Sequence, residues 1–133
     1  MKIKLVKKIF FVILILFSIP ACDKGRDEKQ LEVTVTAYNS YQYQTSGNPA
    51  ITAWGDTLKP GMKSIAVSRD LIDSGLTYGT SVKIEGLPGK YVVRDKMNRR
   101  WAKKIDIYMG KSIQESKEWG KQKVMIFWKD DEE

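Results

Sequence analysis

Apolar and polar side chains alternate without a break over residues 31–38, with Leu31, Val33, Val35 and Ala37 set against Glu32, Thr34, Thr36 and Tyr38. Period two in a stretch this rich in β-branched residues predicts a half-buried strand. Shorter runs of the same kind recur at 64–67, at 79–87 with Val82 and Ile84 in phase, at 90–94, at 105–109 and at 123–128. The run at 79–87 closes on Gly86-Leu87-Pro88-Gly89, so 90–94 is expected to return as its neighbour. Asp95 then opens a polar loop over 96–104. Residues 39–63 read as loop, with turn signals at Asn39, Ser40, Gly47-Asn48-Pro49, Gly55-Asp56 and Pro60-Gly61. One helix is marked. Ser112 and Glu115 form a capping box, the serine accepting from the first turn and the glutamate reaching back to its N–H, and Gly120 supplies the stop. The pattern predicts an all-β fold of small α content, a six-stranded β-barrel with one short helix and no internal repeat.

A different pattern opens the chain. Lys2, Lys4, Lys7 and Lys8 precede an apolar run from Ile9 to Phe17, far short of the roughly 20 residues that span a bilayer, as in an export signal. Ile19-Pro20-Ala21-Cys22 resembles a bacterial lipobox. That resemblance implies cleavage of residues 1–21, with diacylglycerol on the Cys22 sulfur and an acylated amine. The other reading is an ordinary secretory signal followed by a free thiol, a liability in an exported domain. Several acyl chains give stable anchoring. The expected location is the cell envelope, lipid-anchored to a bacterial membrane, with the outer membrane named and the leaflet left open. Residues 22–30 are polar and without period, a lipidated flexible tether; residues 31–129 form the domain and 130–133 an acidic tail.

Charge and composition narrow the chemistry. The 133 residues hold 23 basic and 16 acidic groups, a net charge of +7. Cleavage before Cys22 removes four lysines and no acid, leaving 112 residues at net +3. With an acidic tail besides, this is no nucleic-acid footprint. The absence of histidine excludes Ser-His-Asp and Cys-His mechanisms and every histidine metal site. A single cysteine excludes an internal disulfide and a thiolate zinc cluster. Any catalysis falls to carboxylates, lysine, tyrosine or hydroxyls.

Three carboxylates draw attention. Asp106 lies within Ile105-Asp106-Ile107-Tyr108, where period two puts both isoleucines on one face and Asp106 with Tyr108 on the other. Aspartate is disfavoured in strands, so it marks either a solvated outer face or a site. Asp95 ends a strand and reads equally as a loop cap. Asp70, with Asp73, fits a capped turn of helix.

Their order along the chain carries a resemblance. Thr52-Ala53-Trp54-Gly55, Ile65-Ala66-Val67-Ser68-Arg69-Asp70-Leu71, Tyr78-Gly79-Thr80-Ser81-Val82-Lys83-Ile84, Val93-Arg94-Asp95-Lys96-Met97-Asn98-Arg99 and Lys104-Ile105-Asp106-Ile107-Tyr108-Met109-Gly110 follow one another, closing with Glu118-Trp119-Gly120 and Val124-Met125-Ile126. The series resembles the 3D (Asp-Asp-Asp) domain family over about residues 33–128. That family is related to the C-terminal domain of membrane-bound lytic transglycosylase A and to rare-lipoprotein-A-like barrels and expansins. The resemblance implies a six-stranded double-psi β-barrel, with Asp95 at the place of the general acid/base and Asp106 beside it. The first family aspartate follows Ala-Val directly. Here Ser68 stands there and Asp70 comes two later, so either Ser68 replaces it or Asp70 serves from a shifted turn. The glycines usual after the catalytic aspartate are replaced by Lys96-Met97-Asn98.

The implied activity is cleavage of O-glycosyl bonds in peptidoglycan glycan strands, in peptidoglycan turnover. Glycoside cleavage ordinarily takes two carboxyl groups. A lytic transglycosylase manages with one, because the substrate's own C6 hydroxyl closes an anhydro ring while the aspartate gives and then takes a proton. That needs a raised pKa, from burial or from a second carboxylate. No metal or cofactor is required. Tyr38, Trp54 and Trp101 are candidate sugar platforms or core packing, with Asn98 and Arg99 as hydroxyl or carboxyl partners. The expected partners are glycan strands and, through Cys22, a membrane, for a monomer that binds no nucleic acid. Two other classes stay open: a non-catalytic glycan-binding module of expansin type, and an adaptor lipoprotein whose cleft is incidental.

Overall fold

The long alternating run folds as β1, Lys29–Tyr38, with Val33 and Val35 turned into the interior. The computed structural model describes residues 27–40, 48 and 50–130. The expected signal, Cys22, most of the tether and residues 131–133 lie outside these. After β1 come β2 (Ser64–Val67), α1 (Arg69–Asp73), β3 (Ser81–Ile84), β4 (Tyr91–Lys96), β5 (Lys104–Tyr108), α2 (Ile113–Trp119) and β6 (Gln122–Trp128). The strands close into a barrel in the order β1-β5-β2-β4-β3-β6. Two neighbouring pairs are parallel, β1 with β5 and β2 with β4; the others are antiparallel. Every strand sends apolar residues inward: Val35, Ile65, Val82, Val93, Ile105, Ile107 and Ile126 are all at most 1% exposed. At the rate of about 1.5–3 kcal/mol for each such side chain taken from water, this interior is what holds the ring shut.

The structure departs from the sequence pattern in four places. β1 starts at Lys29, inside the expected tether, because β6 runs on to Trp128 and pairs with it. A salt bridge of 2.6 Å from Lys29 Nζ to Asp130 fastens that end. A second helix, α1, forms where a single capped turn was expected, fixed by burial of Leu71 at 1% exposure. The capping box of α2 is half made. Ser112 Oγ accepts from Glu115 N at 3.1 Å, but the Ser112 N–H already donates to Met109 O, so the glutamate has no donor to reach.

The fourth departure makes the site. β4 continues through Asp95 and Lys96, residues expected to open a loop. Ile65 pairs with Val93, but the next residue, Ala66, pairs with Asp95, so β4 carries one extra residue, Arg94. Val93 belongs to the core. In an unbroken pleat Asp95, two residues on, would share its inward face. The bulge re-aims it outward.

Candidate functional site

Register alone assembles a row across four adjacent strands. Thr36 pairs with Asp106, Asp106 with Ala66, and Ala66 with Asp95. Directly paired residues share a face, so all four stand on the outside of the barrel. The two aspartates are two strands apart, about 10 Å between Cα atoms, and between them lies only the methyl group of Ala66. That small side chain, 6% exposed, puts little bulk between the two carboxyls.

Each carboxyl is held differently. Asp106 is partly buried, and Oδ1 accepts a hydrogen bond of 3.0 Å from the Thr36 hydroxyl. Burial pushes its pKa up; Thr36 and the charge of Lys104 pull it down, and the negative charge of Asp95 adds to the rise. Asp95 Oδ1 accepts from two backbone N–H groups, Ala53 at 2.7 Å and Lys96 at 2.9 Å. Burial raises its pKa too, but both N–H donors and the Lys96 charge work against burial. Among the described residues no arginine pairs with it. The nearby Arg94 guanidinium points at Asp56, 3.9 Å away.

The bond from Ala53 comes from a small loop folded over this end of the barrel. Ile51 bridges to Thr57, and Thr52 closes the turn by donating from its N–H to Asp56 O and accepting at Oγ1 from Asp56 N. Trp54 on that loop packs edge-on to Tyr78 at 5.6 Å, with Lys96 Nζ 5.3 Å from its ring centre. It therefore lines the Asp95 side while half-buried against the core. Tyr38 packs against Tyr108, ring centres 5.5 Å apart and planes tilted by 54°, and Tyr108 is hydrogen-bonded to Ser40. The Tyr38 hydroxyl is buried and, among the described residues, without a hydrogen-bond partner. Burial and then the charges of Asp95 and Asp106 push its pKa far up, so it stays a neutral donor beside two carboxyls.

The remaining candidates fall elsewhere. Asp70 Oδ2 accepts from Lys103 N at 2.9 Å. Burial raises its pKa, but hydrogen bonds from Ser68, Lys103 and the first turn of α1 outweigh burial and hold it below the ordinary value. Ser68 is fully buried and accepts from Lys104 N at 3.0 Å. Both residues are engaged in pinning α1 to the start of β5, and neither brings a third carboxyl into the row. Asn98 and Arg99 are exposed in the turn between β4 and β5, where Asn98 Oδ1 accepts from Arg100 N at 3.1 Å. Trp101 is 38% exposed, but Lys104 Nζ sits 3.6 Å and Arg100 4.9 Å from its ring centre, so cations occupy it. Thr36, Ala66 and Lys104 escape sequence reasoning. The one available signal is that Thr36 and Thr34 share the polar face of β1.

No family model and no curated protein sequence matches the chain. Among solved structures, the crystal structure of apo Clavibacter michiganensis expansin superposes with a TM-score of 0.51 at 17% sequence identity, over 79% of this chain and 52% of that one. The chain thus spans about half the length of that structure. The likeness is one of fold, and the architecture is that of a six-stranded double-psi β-barrel.

Proposed function

We propose that the protein is an envelope lipoprotein, tethered through Cys22, whose barrel cleaves O-glycosyl bonds of peptidoglycan strands in the manner of a lytic transglycosylase. The observation that carries this reading is the row of two carboxyls facing across Ala66, both held above the ordinary aspartate value. The resemblance to the 3D domain family supports it, and the expansin-like fold is compatible with a polysaccharide ligand. The resemblance places the acid/base role on Asp95. The proton belongs on Asp106, where burial does most to disfavour ionisation and the Asp95 charge adds to it, against the pull of the Thr36 hydroxyl and the Lys104 charge. Asp95, with two backbone N–H groups and Lys96 to hold a charge, is the ionised partner. Asp106 then protonates the leaving oxygen and takes a proton back from the C6 hydroxyl. Asp95 supports positive charge developing on the sugar.

A binding-only wall module is the second reading, favoured by Ser68 standing where the resemblance has an aspartate. Product analysis separates the two. Full-length protein in detergent is incubated with peptidoglycan, wild type beside Asp106→Asn and Asp95→Asn. Anhydro-ended products that fall at least about a hundredfold in Asp106→Asn match the proposal. Reducing ends instead make it a hydrolase. Binding without products from wild type leaves a module that holds glycan and cuts nothing.

A further inference from the structure

On the same outer face, the register sets a row of cations beside the acid row. Lys104 precedes Asp106 by two residues on β5; Thr34 stands next to it on β1, and Lys123 next to Thr34 on β6. Trp101 gathers two positive charges at its ring, Lys104 and Arg100. Lys121 joins them: burial lowers the Lys104 pKa, Asp106 opposes this, and the charges of Lys121 and Arg100 add to the lowering. Among the described residues, none of these four cations forms an ion pair within 4.0 Å. Like charges gathered without a direct ion pair repel one another, Asp106 offsetting only part of this at Lys104, and an anion seated among them relieves that repulsion.

We propose that Arg100, Lys104, Lys121 and Lys123 form a subsite for carboxylates, so that the cleft takes glycan strands bearing carboxylate substituents in preference to neutral strands. This rests on the wall-glycan reading and names the substrate class of that same cleft. Two residues along a strand span about 7 Å, comparable with one sugar ring. A glycan lying across Asp106 therefore sets the substituent of its neighbouring sugar against Lys104. The arginine fork and the lysine point charges are the donors such a carboxylate takes. Trp101, by holding Lys104 and Arg100 at its ring, pre-orders two of the four.

The test is cosedimentation of the full-length protein in detergent with three insoluble polymers. These are peptidoglycan freed of attached polymers, the same material with its carboxyls amidated, and chitin. Wild type is expected to bind the first about tenfold more tightly than the other two at low salt, the advantage shrinking as salt rises. Lys104→Gln/Lys123→Gln is expected to lose that advantage, binding intact and amidated peptidoglycan equally. The single variant Lys123→Gln, at an exposed position, is expected to lose part of it with an unchanged melting temperature. Equal wild-type binding to intact and amidated peptidoglycan overturns the subsite and leaves the wall reading standing. Binding to none of the polymers overturns both.

Discussion

The carboxyl of Asp106 receives its hydrogen bond from a hydroxyl, and its neighbour across Ala66 is another carboxyl. Its pKa is raised in the folded protein, so folding favours the protonated form. The stability this contributes is complete below the unfolded value of 3.8 and is lost as pH rises through the folded pKa. Replacing the group by a neutral isostere removes the loss. Asp106→Asn is expected to raise Tm at pH 7 by roughly 2–5 °C, and thermal melts should show the gain vanishing below the unfolded value. A second expectation concerns the coupling. Since Asp95 raises Asp106, Asp95→Asn should lower the apparent pKa of Asp106, read from its side-chain carboxyl resonance against pH. An unchanged titration would mean that the two carboxyls do not sense each other, and the assignment of the proton to Asp106 would lose its electrostatic basis.

At the scale of elements, the site is a matter of register. Strands β1, β5, β2 and β4 meet only if Thr36, Asp106, Ala66 and Asp95 fall level, and Ala66 must stay small. Ala66→Leu inserts three carbons between the carboxyls. It is expected to abolish most product formation or glycan binding while costing about 1–3 kcal/mol of stability, with both measured on the same preparation. Much of this architecture was legible beforehand. β1 and β5 could be read because one face is core and the other is not, and that alternation put Asp106 on the outer side. Its partial burial could not be read, because that depends on strands brought from far along the chain; Thr36, its hydrogen-bond partner, is 70 residues away. The pattern makes β4 too short for a related reason. Asp95 and Lys96 look like loop residues until Ala66 and Val67 are set beside them. Asp70 was a reasonable candidate by composition, yet its carboxylate is taken by the Lys103 backbone.

The whole molecule is a ring in which each strand has two neighbours, so its core is shared rather than divided. Ile107, 1% exposed on β5, packs among residues drawn from every strand. Ile107→Ala is expected to cost about 2–5 kcal/mol and to lower a single unfolding transition without splitting it. Two transitions by circular dichroism and tryptophan fluorescence would show that the ring opens in parts. The same closure explains how a chain with so little helix carries a site on its outside. The interior is taken up by apolar side chains, Tyr91 and Trp128 among the aliphatic ones, which leaves the outer pleat for the two carboxyls.

That outer placement hangs on a count. Arg94 is the surplus residue that turns Asp95 away from the interior, so the segment from Tyr91 to Asp95 tolerates changes of side chain far more readily than a change of length. Losing one residue there would return the strand to an even pleat and drive a carboxylate toward the aliphatic interior, where a charge is strongly disfavoured. In this protein the spacing of a few backbone atoms, as much as the identity of any acid, decides whether the two carboxyls share the outer face.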